Sequence, residues 1–405
     1  MNIVVVSDFA HVSGGNAAVA LASARGLAEQ GHAVTLFASV GPVGAEIAAG
    51  PVKVVCTDQQ AIADDRRRTR AVVQGIWNVK AARMMADTLG RMDVRQTVVH
   101  VHGWDKALSS SVVRTALTMG AKLVCTFHDY VSVCPNSGFY NHPRDEICRL
   151  QPLSLSCVME PCDRRGYGHK IWRVVRHVVQ RRWGLLPDGI KHVIVVSDFS
   201  RRILEPYLPA GVHIHHVHNM IGVVRGTAVD PADNSAYIMV GRMSREKGPH
   251  LLASVAGRTG WNVRFIGDGE SVSEVRRLAP DAAVTGWLPR DAVLKEVAQA
   301  RALIFPSLWY EGEPLVILEA AALGVPAIVA DTCAARDLVI DGETGLHFRS
   351  GDDRHLQSVM NRLQDHQFVR RLGEAAYRRY WGNPQSLERH VADLERVYEQ
   401  VLRND

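Results

Sequence analysis

The sequence lacks any apolar run of about 18 residues or more, so no segment reads as a membrane-spanning helix. It also lacks GxGxxG, and its second strand-like run, ending Leu36-Phe37-Ala38-Ser39, has no terminal acid to hold a ribose. Both absences argue against a nicotinamide-dependent oxidoreductase. The start Met1-Asn2-Ile3-Val4-Val5-Val6 is too short for a secretion signal and has neither a basic leader nor a small-residue cleavage site, so it reads as a first strand of a cytoplasmic protein. No short repeat, low-complexity tract or Cys-x2-Cys knuckle occurs.

What is present is an ordinary globular composition, 47% hydrophobic and 22% charged, in 405 residues. That length exceeds what one core accommodates and implies two domains of roughly 150–200 residues. The net charge of +5 hides an asymmetry. Residues 1–215 carry 25 Lys+Arg against 17 Asp+Glu (+8), and the remainder 22 against 25 (−3). The first half is therefore the one suited to an anionic surface; scattered solubilising charge is the alternative. Nothing points to a nucleic-acid partner.

Short apolar runs alternate with helix-period stretches along the whole chain. Strands are expected at 3–7, 33–37, 97–102 and 122–127, then again at 192–196, 236–240, 263–266, 302–305 and 327–329. Such alternation predicts parallel sheets covered by helices on both faces. The fold class is α/β, with two Rossmann-like doubly wound domains facing a cleft. The expected division is 1–215, 216–383 and a closing amphipathic helix in 384–405, with a polar linker at 224–235. An insertion at 130–165 and a basic helix at 166–183 belong to the first domain.

The densest chemical signal runs from Pro306 to Ala320. Pro306 stops a strand, a loop carries Glu311 and Gly312, and Pro314 stands where a first helical turn tolerates proline. Glu319 follows in the second turn, and Gly324 with Pro326 ends the helix. The N–H groups of Leu315 and Val316 would face a phosphate at that helix start, while two carboxylates are acceptors suited to sugar hydroxyls. Upstream, Val240-Gly241-Arg242-Met243-Ser244-Arg245-Glu246-Lys247-Gly248 offers a guanidinium fork and a mobile ammonium for a diphosphate. Ser13-Gly14-Gly15 lets the backbone approach a ligand. His128 and His102 each end a strand at its carboxyl end.

Glu311-x7-Glu319 in this frame, with Gly241-Arg242 and Lys247-Gly248, resembles the family 4 glycosyltransferases, over Gly14-Gly15 through Gly342-Glu343-Thr344-Gly345. The resemblance implies the GT-B fold, retention of anomeric configuration and a donor that is a UDP- or GDP-linked sugar, with no cofactor or metal required. It implies that Glu311 and His128 meet the donor sugar and Glu319 the ribose. Arg242, Lys247, Gly14 and Gly15 would lie at the donor phosphates, as would Gly312 with the Leu315 and Val316 helix start. The backbone around Trp287 and Leu288 would flank the nucleobase, Trp287 being alternatively a core residue. His102 is a candidate acceptor contact. The implied acceptor is a saccharide or lipid-linked saccharide of cell-surface polysaccharide or glycolipid synthesis. An epimerase or hydrolase of the same fold, or a non-catalytic nucleotide-sugar-binding module, are the competing readings.

Two features lie outside that frame. Cys134, Cys148, Cys157 and Cys162, spaced x13, x8 and x4, stand in a segment that resembles an insertion of some polysaccharide-building members. They admit structural zinc, free thiols or disulfides. The stretch Arg164–Trp183 carries seven Lys/Arg, with Ile171, Val174, Val175 and Val178 at helical spacing. It is suited either to an anionic membrane face, with Trp172 and Trp183 at the interface and the protein peripheral to the inner leaflet, or to packing on the domain core.

Overall fold

The computed structural model describes residues 1–404 as two compact units. The first comprises Met1–Gly138, Leu150–Met220 and the chain from Ser386 on; the second comprises Phe139–Arg149 and Ile221–Gln385.

In the first unit a seven-stranded parallel sheet runs in the order Lys53–Cys56, Ala33–Val40, Asn2–Phe9, Thr97–Val101, Lys122–Phe127, His192–Val195, His213–His216. Its central strand, Thr97–Val101, is buried along its whole length, as covering helices on both faces require. The order turns at Asn2–Phe9, which pairs with both Ala33–Val40 and Thr97–Val101. At such a reversal the carboxyl ends of neighbouring strands diverge and leave a crevice.

The second unit holds a six-stranded sheet in the order Ala283–Val284, Val263–Ile266, Ala236–Val240, Ala300–Phe305, Ala327–Ala330, Gly345–Phe348, again parallel. Its central strand is Ala236–Val240, and the reversal lies between it and Ala300–Phe305. The two loops that leave these strands carry Arg242–Lys247 and Ser307–Glu311. The strands Lys53–Cys56, His213–His216 and Gly345–Phe348 had no expectation. All three are short edge strands, and Lys53–Cys56 and His213–His216 are only partly buried.

The expected boundaries need two corrections. Helix Leu387–Asn404, placed in a closing segment 384–405 whose last residue lies outside the described ones, belongs to the first unit. Val391, Leu394, Val397, Tyr398 and Val401 pack with Leu21, Ala24 and Leu27 in one cluster. The amphipathic spacing announced a buried face; its partner 360 residues earlier leaves no local trace. Conversely, Phe139–Arg149, inside the insertion assigned to the first domain, belongs to the second unit. Tyr140 joins that unit's core, and Asp145 accepts a charge-assisted bond from Arg245 at 2.6 Å.

Candidate functional site

In the second unit, the loop after Ala236–Val240 and the loop after Ala300–Phe305 meet through Gly248. This residue takes φ 72°, and a β-carbon there would overlap the Pro306 carbonyl. Glycine thus meets both a left-handed backbone and a close approach. The contact brings Lys247 to Glu311: Nζ donates to both carboxylate oxygens, at 2.7 and 2.9 Å. Ser307 Oγ, at 2.5 Å, and Trp309 Nε1, at 2.9 Å, donate to Glu311 Oε1 as well. The Trp309 ring lies 5.1 Å beneath the same ammonium, within cation–π range. Glu311 is 9% exposed, so its anion is held by donors and not by water.

Beside this, helix Leu315–Leu323 starts after Pro314 with no side-chain cap. Its first N–H groups have no intrahelical acceptor and point along the positive end of the helix dipole. Arg242 donates to Ser244 Oγ and Glu246 Oε1, at 3.2 and 2.9 Å, and the second branch of its fork, Nη1, is left over. Burial opposes the charge of Glu246. The Ser244 hydroxyl, backbone donation and Arg242 nonetheless hold its carboxyl below the usual range. Glu319 faces Arg290, whose Nε and Nη2 donate at 3.1 and 2.7 Å. Burial pushes the Glu319 carboxyl up, with Arg290 pulling against it. Gly312 is half-buried in the connecting loop.

Ser307, Trp309, Glu246 and Arg290 were not among the expected site residues. Ser307 and Trp309 stand inside the motif and were readable as donors beside Glu311. Nothing in the spacing of Glu246 or Arg290 announces their partners. Leu288 is half-buried against the unit's core. Trp287 is 78% exposed, which removes the core alternative for it.

In the first unit, Gly14 precedes helix Gly15–Glu29 with φ 154° and no side-chain cap, and a β-carbon at Gly14 or Gly15 would meet open space. Asp8, at the end of the first strand, accepts the N–H groups of Lys106, Ala107 and Leu108 and so holds the loop after Thr97–Val101. Burial, with Asp105 adding, pushes its carboxyl up to about 6 against those bonds.

His102 is 3% exposed, too buried for the acceptor contact expected of it. Its Nδ1 lies 3.0 Å from His128 Nε2, and the two rings stack. Burial, with His390 nearby, takes His128 down to about 3, and burial holds His100 and His102 well below the ordinary histidine value. All three rings are neutral at pH 7. His102 Nε2 is buried without a hydrogen-bond partner. An orphan lone pair is more tolerable than an orphan N–H. His102 therefore carries its proton on Nδ1 and donates it to His128, which leaves His128 a donor at Nδ1.

Of the four cysteines of the insertion, Cys157 and Cys162 are free thiols. Cys148 falls in the second unit and the other three in the first. Among the described residues no group of three or more His, Cys, Asp or Glu is arranged to hold a metal ion.

Helix Tyr167–Arg182 turns Lys170, Val174, His177 and Gln180 inward and leaves Ile171, Val175 and Val178 exposed, so its apolar face is not the one packed on the core. Trp172 is half-buried: its Nε1 donates to the Val72 carbonyl, and its ring packs where Gly75 has no side chain. No helix of the described residues is long and apolar enough to cross a membrane.

Two family models match nearly the whole chain: "Glycosyltransferase Family 4" over residues 13–225 and "Glycosyl transferases group 1" over residues 228–379. The lipopolysaccharide core biosynthesis glycosyltransferase LpsE of Rhizobium meliloti is 29% identical over 180 residues, 40% of this chain and 52% of that protein. A GDP-mannose-dependent alpha-mannosyltransferase of Corynebacterium glutamicum is 33% identical over 118 residues, 29% of this chain and 28% of that protein. An exopolysaccharide phosphotransferase of Streptomyces coelicolor is matched over 13% of its length, so the chain spans between 13% and 52% of these relatives. Sucrose-phosphate synthase from Thermosynechococcus elongatus has the same fold, with TM-score 0.70, 16% identity and full coverage of both chains. Anabaena HepE in complex with UDP-glucose gives TM-score 0.67 at 15% identity, covering 99% of each chain. With the first model alone covering more than half of its length, the chain belongs to glycosyltransferase family 4.

Proposed function

We propose that the protein transfers a glycosyl group, with retention, from a UDP- or GDP-linked sugar to a saccharide or lipid-linked saccharide of a surface polysaccharide or glycolipid. The observation that carries this reading is the Lys247–Glu311 pair beside an uncapped helix start. An ammonium has three donors, and two serve Glu311, so one remains for a phosphate oxygen. In the proposed step the anomeric C–O bond breaks and its electron pair goes to the diphosphate. Arg242 Nη1, Lys247 and the Leu315 and Val316 N–H groups stabilise the charge that develops. The acceptor oxygen bonds to the anomeric carbon, and its proton passes to the departing phosphate. Glu311, buried among its donors, and His128, donating from Nδ1, orient the sugar. Glu319 accepts from the ribose hydroxyls, and Trp287 covers the base.

The test is turnover of a nucleotide-sugar panel with and without lipid-linked acceptors. Acceptor-dependent release of nucleoside diphosphate supports the reading. Release without any acceptor would favour a hydrolase or epimerase, and binding without turnover a non-catalytic module.

We infer that the acceptor is met at an anionic membrane. Helices Arg68–Ile76, Leu155–Met159 and Tyr167–Arg182 pack together. They and their flanks expose Val73, Val79, Leu155, Met159, Ile171, Val175 and Trp183. Trp183 and Trp77 line a pocket of about 440 Å³ between them. The same segments expose Arg66, Arg67, Arg68, Arg165 and Arg182. Apolar side chains ringed by arginine fit an anionic headgroup layer, each cation contributing ~1 kcal/mol near the surface. Flotation with phosphatidylglycerol vesicles should weaken in salt and in Arg165→Glu/Arg182→Glu; binding indifferent to lipid charge would remove the inference.

A further inference from the structure

Lys170 is a buried cation without a carboxylate. It is 1% exposed on the inner face of helix Tyr167–Arg182, and its Nζ lies 3.2 Å from Cys162 Sγ and 3.6 Å from Cys157 Sγ. A buried ammonium needs an anion beside it, and the anion these neighbours can supply is a thiolate. Cys162 is the better placed of the two. Its sulfur also faces Asn136 Nδ2 at 3.5 Å, and the same amide donates to the Cys162 carbonyl at 2.9 Å. Burial works against the Lys170 charge, yet the sulfurs of Cys162, Cys157 and Cys134 hold its pKa above the ordinary lysine value.

We propose that Cys162, Cys157 and Lys170 form a peroxide-reactive redox site that closes to a Cys157–Cys162 disulfide. The Cys162 thiolate attacks one oxygen of hydrogen peroxide: an S–O bond forms, the O–O bond breaks, and the departing hydroxide takes a proton from Lys170 and leaves as water. The sulfur is oxidised by two electrons and the peroxide is reduced. The Cys157 thiol then attacks the sulfenic sulfur of Cys162, the S–S bond forms, and a second water is expelled with the thiol proton. Lys170 ends as a neutral amine beside a neutral disulfide. The site carries no net charge in either redox state, as its burial demands. Cys157 lies on the short helix Leu155–Met159, whose Leu155 and Met159 are exposed.

The experiment treats the reduced full chain with hydrogen peroxide and maps its peptides. A Cys157–Cys162 disulfide, reversed by dithiothreitol and formed at least about tenfold faster than buried Cys125 is oxidised, is the expected result. In Cys157→Ser a sulfenic acid on Cys162 should be captured by dimedone. Lys170→Met should slow the reaction about tenfold, with circular dichroism reporting its fold; if that variant does not fold, the Cys157→Ser arm decides. A rate equal to that of Cys125, a bridge to Cys134 or Cys148, or a stoichiometric zinc that must be chelated before the thiols react would each overturn the proposal.

Discussion

The two units solve the same problem, a polar site at the ends of a parallel sheet, with opposite electrostatics. In the second, every candidate carboxylate is held by a cation: Glu311 by Lys247, Glu246 by Arg242 and Glu319 by Arg290. In the first, charge is suppressed. His102 and His128 stay neutral, and Asp8 and Asp129 are pushed up to about 6 and 7 by burial, with Asp105 adding to both. Paired charges can be re-partnered by a charged ligand at little reorganisation cost, since the cations are already in place. Neutral rings and acids discriminate through hydrogen bonds and do not repel an uncharged sugar. On the proposed reading, the paired charges of the second unit suit a diphosphate and the neutral groups of the first suit a saccharide.

The strongest way to break this comparison is Glu311→Gln, which leaves Lys247 facing an amide. Turnover should fall by on the order of 100-fold or more while nucleotide affinity changes only a few-fold; steady-state kinetics beside calorimetric nucleoside-diphosphate binding separate the two. Next, Arg242→Ala removes one leg of the proposed phosphate grip and strands Glu246 in a buried position. A loss of about tenfold in diphosphate affinity is expected, and it should shrink in high salt.

In the first unit the comparison is sharpened by pH. Asp129 titrates near 7 when folded against 3.8 as a free carboxyl, so between those values the folded state binds the extra proton and stability falls as pH rises. Asp129→Asn keeps an acceptor for the Val131 N–H and removes that penalty. Its melting temperature should exceed the parent's by a few degrees at pH 8, roughly 2–4 °C per kcal/mol, and the gain should vanish near pH 4. The smallest effect is expected of Trp287→Ala. An exposed ring gives no core packing, so thermal stability should not move, and nucleotide affinity should drop about threefold to tenfold through lost stacking.

How far the sequence could be read differs between these regions for a physical reason. The donor-side loops are local: Pro306, Glu311, Pro314 and Glu319 lie within 14 residues, and their order alone places a strand end, a loop and a helix start. The partners of those carboxylates were legible only as a list of cations. Lys247 was expected at the phosphate, and its second bond, to Glu311, depends on Gly248 passing against Pro306. Trp172 was legible only as an aromatic on a basic helix; its contacts with Val72 and Gly75 depend on a helix about 100 residues earlier.

The sequence by itself determined the α/β fold with two parallel sheets, the strands that flank the candidate site and the glutamates proposed for it, because period, punctuation and charge are properties of neighbouring residues. The tertiary structure alone decided which charges pair, that His102 lies behind His128, that Lys170 points inward among sulfurs, and that the last helix returns to the first unit. Those outcomes rest on contacts between residues far apart in the chain and on burial, neither of which leaves a local pattern to read.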